Sequence, residues 1–106
     1  MDEWTPKDLK QSLDDGGSVF LKLWKPGCGA CKLSESATSR LEAKESANFK
    51  FVKINTEDHP EIMEITGTEV LPVFFVFKDG AMQSKVIGFK GIKKLQDALA
   101  GKQDGA

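Results

Sequence analysis

The stretch Lys22-Leu23-Trp24-Lys25-Pro26-Gly27-Cys28-Gly29-Ala30-Cys31-Lys32 holds both cysteines of the chain, spaced C-x-x-C. The run from Val19 to Trp24 ahead of it is apolar apart from Lys22. Behind it, Leu33, Ala37 and Leu41 recur four residues apart along one helical face. A strand therefore delivers a loop carrying Cys28, and a helix begins there with Cys31 one turn further on. Two thiols at this spacing can close a small disulfide with little movement of the backbone. Free N–H groups and a partial positive charge at the helix start favour thiolate over thiol. In such a setting a cysteine pKa falls from about 8.5 into a range of roughly 3.5–7.5. The pattern points to redox chemistry.

Upstream, Thr5 can cap a helix with Pro6 at its first position and Asp8 in its first turn, while Trp4 and Leu9 staple across the cap. That helix is expected to run to about Asp14 and stop at Gly16-Gly17. Downstream, one continuous helix is predicted from about Cys28 to Lys44, followed by a strand over Asn48–Ile54. A third helix is predicted to start at an Asp58 or His59 cap with Pro60 first, bury Ile62 and Ile65, and close at Gly67. Strand, helix and strand at this spacing imply a parallel pair with a right-handed crossover. Val73–Phe77 is an unbroken apolar strand, Asp79-Gly80 is a tight-turn signal, and Met82–Ile87 returns as the second arm of a hairpin. Ile92, Leu95 and Leu99 share one face of a last helix, and residues 101–106 have nothing to bury and are expected to fray.

A chain of 106 residues suits a single domain spanning 1–106 with one core. Its net charge of −1 gives no reason to expect nucleic acid or an anionic membrane as partner. The acidic start Met1-Asp2-Glu3-Trp4 lacks the apolar run of a signal peptide, and no segment is long enough to span a bilayer. The expectation is a cytoplasmic protein, where a lone C-x-x-C is more often catalytic or metal-binding than a structural staple.

The order helix, strand, helix, strand, helix, hairpin, helix, with C-x-x-C after the first strand and Pro72 opening the hairpin, resembles the thioredoxin family over nearly the whole chain. Trp24, Lys32, Val52-Lys53-Ile54-Asn55, Val70-Leu71-Pro72-Val73, Lys78-Asp79-Gly80 and Gly88 carry the likeness. It implies an α/β thioredoxin fold: a mixed four-stranded sheet flanked by four helices, the strands in the order second, first, third, fourth. The extra N-terminal edge strand of longer relatives is expected to be short or absent. It also implies a cis Leu71–Pro72 bond beside the cysteines, with Val70, Leu71 and Pro72 binding an extended substrate chain.

The departures from the family pattern are chemical. Gly27 stands where Trp is usual, Ala30 where Pro is usual, and Ser36 matches a proline of the following helix, which implies a less kinked helix. Lys22 replaces a buried aspartate. In a central strand its stem is expected to pack in the core with its head directed toward the active loop, and Lys53 faces the same choice.

The resemblance implies a protein thiol–disulfide oxidoreductase engaged in electron transfer and redox homeostasis, acting as a monomer. Cys28 is the nucleophile and Cys31 the resolving thiol. Lys22, Trp24, Gly27, Gly29, Ala30 and Lys53 support the site. No cofactor beyond the Cys28–Cys31 disulfide and no metal are implied, and a thioredoxin reductase supplies electrons. Three other readings stay open. The cysteines can be buried small hydrophobes, they can regulate a binding module, or two chains can share a metal cluster through them. One chain alone, with two thiols and His59, falls short of the four ligands of a mononuclear zinc site.

Overall fold

In the computed structural model, which describes residues 1–102, the chain begins with a two-residue strand, β1 (Asp2–Glu3). Helix α1 (Pro6–Asp14) starts as its sequence predicts. Thr5 Oγ1 accepts from Asp8 N–H, the Asp8 carboxylate accepts from Thr5 N–H, and Trp4 packs beside buried Leu9. Strand β2 (Val19–Trp24) follows, then α2 (Gly29–Leu33), α3 (Glu35–Glu45), β3 (Lys50–Asn55), α4 (Glu61–Thr66), β4 (Val73–Lys78), β5 (Ala81–Ile87) and α5 (Ile92–Leu99). Residues 103–106 of the expected fraying tail lie outside the described residues.

Among the described residues the sheet has five strands, not four, in the order β1-β3-β2-β4-β5. The additional member is the short edge strand β1. It is held by Trp4 N–H donating to Lys53 O at 2.8 Å and by ion pairs from Lys50 to Asp2 (2.7 Å) and from Lys53 to Glu3 (3.7 Å). A two-residue strand has too little periodicity to announce itself; its partner strand defines it. The order of the other four is the expected one. β1, β3 and β2 run parallel, and β2, β4 and β5 antiparallel. Asp79 (φ 52°) and Gly80 (φ 86°) both take left-handed backbone, as a two-residue hairpin turn with the native strand twist requires.

The helices of the described residues number five rather than four because the predicted continuous helix over Cys28–Lys44 is interrupted at Ser34. The Cys31 carbonyl accepts from Lys22 Nζ (2.8 Å), Ser34 Oγ (2.7 Å) and Ser34 N–H (3.3 Å). Donors from outside the regular helical ladder occupy that acceptor, and a new helix starts one residue later. The helix after β3 also departs from expectation. Neither Asp58 nor His59 caps it; Pro60 occupies the cap position with no side-chain bond, and Ile65 is 70% exposed while Ile62 is buried. Three residues on from Ile62, Ile65 lies in the last turn of α4, where it stays exposed.

Strand alternation builds a core on each face. Val19, Leu21 and Leu23 join Leu9, Ile62 and Phe75 on one side. On the other, Phe20 meets Phe51 at 4.6 Å and Phe74 at 5.8 Å between ring centroids, below Leu41, Leu95 and Leu99. Burial of each such side chain is worth about 1.5–3 kcal/mol. By the same alternation Lys22 points with Phe20 to the face covered by α3 and α5, where it meets the Cys31 carbonyl of α2.

Candidate active site

Pro26 and Gly27 turn the chain out of β2. Cys28 N–H donates to Lys25 O at 3.4 Å, and Gly27 has φ +79°, so Lys25–Cys28 is a β-turn with proline second and glycine third. The Pro-Gly pair is a sequence signal for this turn that the strand-and-helix reading passes over. The end of β2 is tied down by Thr56, whose N–H and Oγ1 both donate to Trp24 O.

Cys28 is the N-cap of α2. Its Sγ accepts from Cys31 N–H at 3.2 Å, which satisfies one free donor of the first turn, and its carbonyl accepts from Lys32 N–H. Cys28 and Cys31 form a disulfide with their Cα atoms 5.2 Å apart. Their exposure differs: Cys28 is half-buried, whereas Cys31 is 3% exposed. Gly27, Gly29 and Ala30 around them are exposed.

A cavity of about 350 Å³ opens beside the disulfide. Lys22, Trp24, Gly27, Gly29 and Lys53 line it together with both cysteines, so most of the predicted support set is brought together, although Ala30 is not among the lining residues. Lys22 is 4% exposed and spends a donor on the Cys31 carbonyl. Burial pushes the Lys22 amine below the ordinary lysine range; Glu35 pulls it back up, and Lys53 lowers it further. Lys53 has contacts of its own. Its Nζ lies 4.8 Å over the Trp24 ring and 3.7 Å from Glu3. Trp24 is half-buried, and its enclosed indole N–H has no partner among the described residues.

Val70, Leu71 and Pro72 do not line this cavity. They lie at the same sheet end, because Leu23 stands opposite Val73 in the antiparallel register. The Leu71–Pro72 bond is cis, as the resemblance implied. Pro72 is buried and its carbonyl accepts from Gly88 N–H, while Val70 is 54% exposed. Lys25, Pro26, Lys32, Ser34 and Glu35 belong to the site but not to the predicted set. Ser34 is a fully buried hydroxyl against Cys31, and Glu35 is the one carboxylate that the described residues place in the cavity wall. Polar residues in a helical pattern give no sign that they face a disulfide. Among the described residues, no three of His, Cys, Asp and Glu are grouped to hold a metal ion.

Comparison with known proteins adds the lineage. A family model described as Thioredoxin matches residues 2–101. The thioredoxin of Mycoplasma genitalium is 32% identical over 91 residues, which cover 86% of this chain and 88% of that one. The thioredoxin of Pyropia yezoensis is 33% identical over 79% of each chain. Thioredoxin M4, chloroplastic, of Arabidopsis thaliana is 30% identical over 81% of this chain, which spans only 42% of that protein's length. The structure superposes on mitochondrial thioredoxin 3 of Saccharomyces cerevisiae, in its oxidised form, with a TM-score of 0.85 over 94% of this chain and 93% of that one. At 20% identity, that likeness is one of fold.

Proposed function

The chain belongs to the thioredoxin family and is a disulfide oxidoreductase, and from that premise we propose that it reduces protein disulfides through Cys28 as nucleophile and Cys31 as resolving thiol. The observation that carries the assignment of roles is the asymmetry of the pair. Cys28 is the more accessible sulfur and sits at the helix start, where it accepts a backbone N–H; Cys31 is buried behind it. Stabilisation of negative sulfur at Cys28 follows from that hydrogen bond and from the first-turn donors.

In the forward direction the Cys28 thiolate attacks one sulfur of a substrate disulfide. A Cys28–substrate bond forms, the substrate bond breaks, and the first substrate thiolate departs. The Cys31 thiolate then attacks Cys28 Sγ, closing Cys28–Cys31 and releasing the second thiolate. Two electrons pass to the substrate, and the protein's own sulfurs carry them without an organic cofactor. Val70 and the Leu71–Pro72 turn, at the sheet end from which the cysteine loop leaves, are suited to align an extended substrate chain. Return to the dithiol takes two electrons from outside, and a thioredoxin reductase fits that role.

Dithiothreitol-driven reduction of insulin tests the proposal. Wild-type protein is expected to accelerate precipitation of the insulin B chain, Cys28→Ser to abolish the acceleration, and Cys31→Ser to accumulate a mixed disulfide visible on a non-reducing gel. Unimpaired turnover by Cys28→Ser would remove Cys28 from the nucleophile's role.

A further inference from the structure

The chain as a whole carries a net charge of −1, yet its redox site is basic. Four lysines, Lys22, Lys25, Lys32 and Lys53, line the cavity beside the disulfide, against the single carboxylate of Glu35 among the described residues. Lys53 is partly offset by Glu3 at 3.7 Å, and Lys22 is buried against the Cys31 carbonyl. Lys25 and Lys32 have no such relief. Both are exposed, one on each side of the disulfide loop, and among the described residues no carboxylate comes within ion-pair distance of either. We propose that this rim selects protein disulfides whose cysteine is flanked by acidic residues. The inference rests on the exchange reading above and deepens it by naming the substrate class.

Lys25 and Lys32 line the cavity beside the disulfide and are exposed, so a chain laid across Cys28 brings its flanking side chains to them. A carboxylate next to the substrate cysteine meets an uncompensated ammonium at close range. A lysine at the same place meets like charge. Clefts lined by one sign of charge raise association rates by about 10 to 1,000-fold for the complementary partner, an effect that fades as salt is added. The bond changes are those already given: the Cys28 thiolate takes the substrate sulfur, and Cys31 completes the transfer of two electrons.

The test uses three disulfide-linked peptide pairs, identical except that Asp, Ser or Lys flanks the cysteine. Each is reduced by the pre-reduced protein in single-turnover experiments. Every rate is divided by the rate for dithiothreitol acting on the same peptide, which cancels the effect of flanking charge on the disulfide itself. At low ionic strength the expected order is Asp, Ser, Lys, with an Asp-to-Lys ratio of about tenfold or more. That ratio falls several-fold in high salt, and falls again in Lys25→Gln/Lys32→Gln. Equal normalised rates for the three peptides, a salt-independent ratio, or a ratio unchanged in the double variant would each overturn the inference while the Ser peptide is still reduced. If even the Ser peptide is not reduced, the exchange reading falls and this inference falls with it.

Discussion

Replacing Lys22 by Met keeps an unbranched stem in the core and removes one positive charge from beneath Cys31. The ammonium lies 2.8 Å from the Cys31 carbonyl oxygen, and standard backbone geometry then puts the Cys31 sulfur roughly 5–8 Å away. At an effective dielectric of about 20, an ammonium and a thiolate at that separation attract by roughly 2–3 kcal/mol. One pKa unit is about 1.4 kcal/mol, so loss of the charge raises the thiol pKa by up to about 2 units. Weaker thiolate stabilisation disfavours the dithiol relative to the disulfide. At about 30 mV per 1.4 kcal/mol, the pair becomes more reducing by up to about 60 mV. Lys22→Asp places a negative charge at the same point and shifts both quantities further in the same direction. Thiolate absorbance titrations and equilibration against thiol–disulfide redox buffers measure the two effects. Circular dichroism establishes that each variant is folded. If wild type, Lys22→Met and Lys22→Asp all gave native spectra and the same thiol pKa values, the charge at this position would not reach the sulfurs. The electrostatic account of Lys22 would then fail.

The same amine gives a pH dependence of stability. Because burial lowers the Lys22 pKa in the folded chain, the unfolded chain binds the extra proton between that lowered value and about 10.5, and stability rises with pH across this alkaline window. Urea unfolding of wild type minus Lys22→Met is expected to show the rise; parallel pH profiles would refute it. Ser34→Ala removes a buried 2.7 Å hydrogen bond to the Cys31 carbonyl and is expected to cost about 1 kcal/mol in denaturant unfolding. In a double-mutant cycle with Lys22→Met the two losses are expected not to add, since both donors share one acceptor. Gly27→Trp with Ala30→Pro restores the apolar contact area and constrained turn of the usual family loop and is expected to raise turnover by a thioredoxin reductase. Gly27 has φ +79°, so a side chain there costs about 1–2 kcal/mol, and a lower melting temperature accompanies the gain. No gain in turnover would show that these two positions do not limit engagement.

Much of the fold is legible because its signals are local. The Thr5-Pro6-Lys7-Asp8 start, the apolar run Val19–Trp24 and the Asp79-Gly80 turn each act within a few residues, and each appears where its sequence puts it. The edge strand β1 is different. Asp2-Glu3 has no strand character of its own; it pairs because Lys50 and Lys53 on β3 present ammonium groups to the two carboxylates. Ile65 shows the converse. Its spacing from Ile62 gives the two a shared face, yet only Ile62 is covered by the core.

The interruption at Ser34 shows why the site is harder to read than the fold. Loss of the usual proline at Ser36 argues for a straighter helix, and locally that argument is sound. The break arises two residues earlier and from elsewhere in the chain: an amine on β2 reaches up to the Cys31 carbonyl, and the Ser34 hydroxyl joins it. A lysine in a central strand needs acceptors once it is buried, because an unpaired buried charge is costly. The carbonyl it finds belongs to the resolving cysteine of the proposed exchange. Lys22 in the strand and Ser34 at the break between α2 and α3 are therefore parts of one arrangement, although twelve residues separate them and neither stands out in the sequence as a partner of the other. One substitution at position 22 thus changes the charge beneath the sulfurs and the hydrogen bonding that ends α2. This is why the thiol titration and the Ser34 double-mutant cycle are needed together: the first isolates the charge, and the second isolates the shared acceptor.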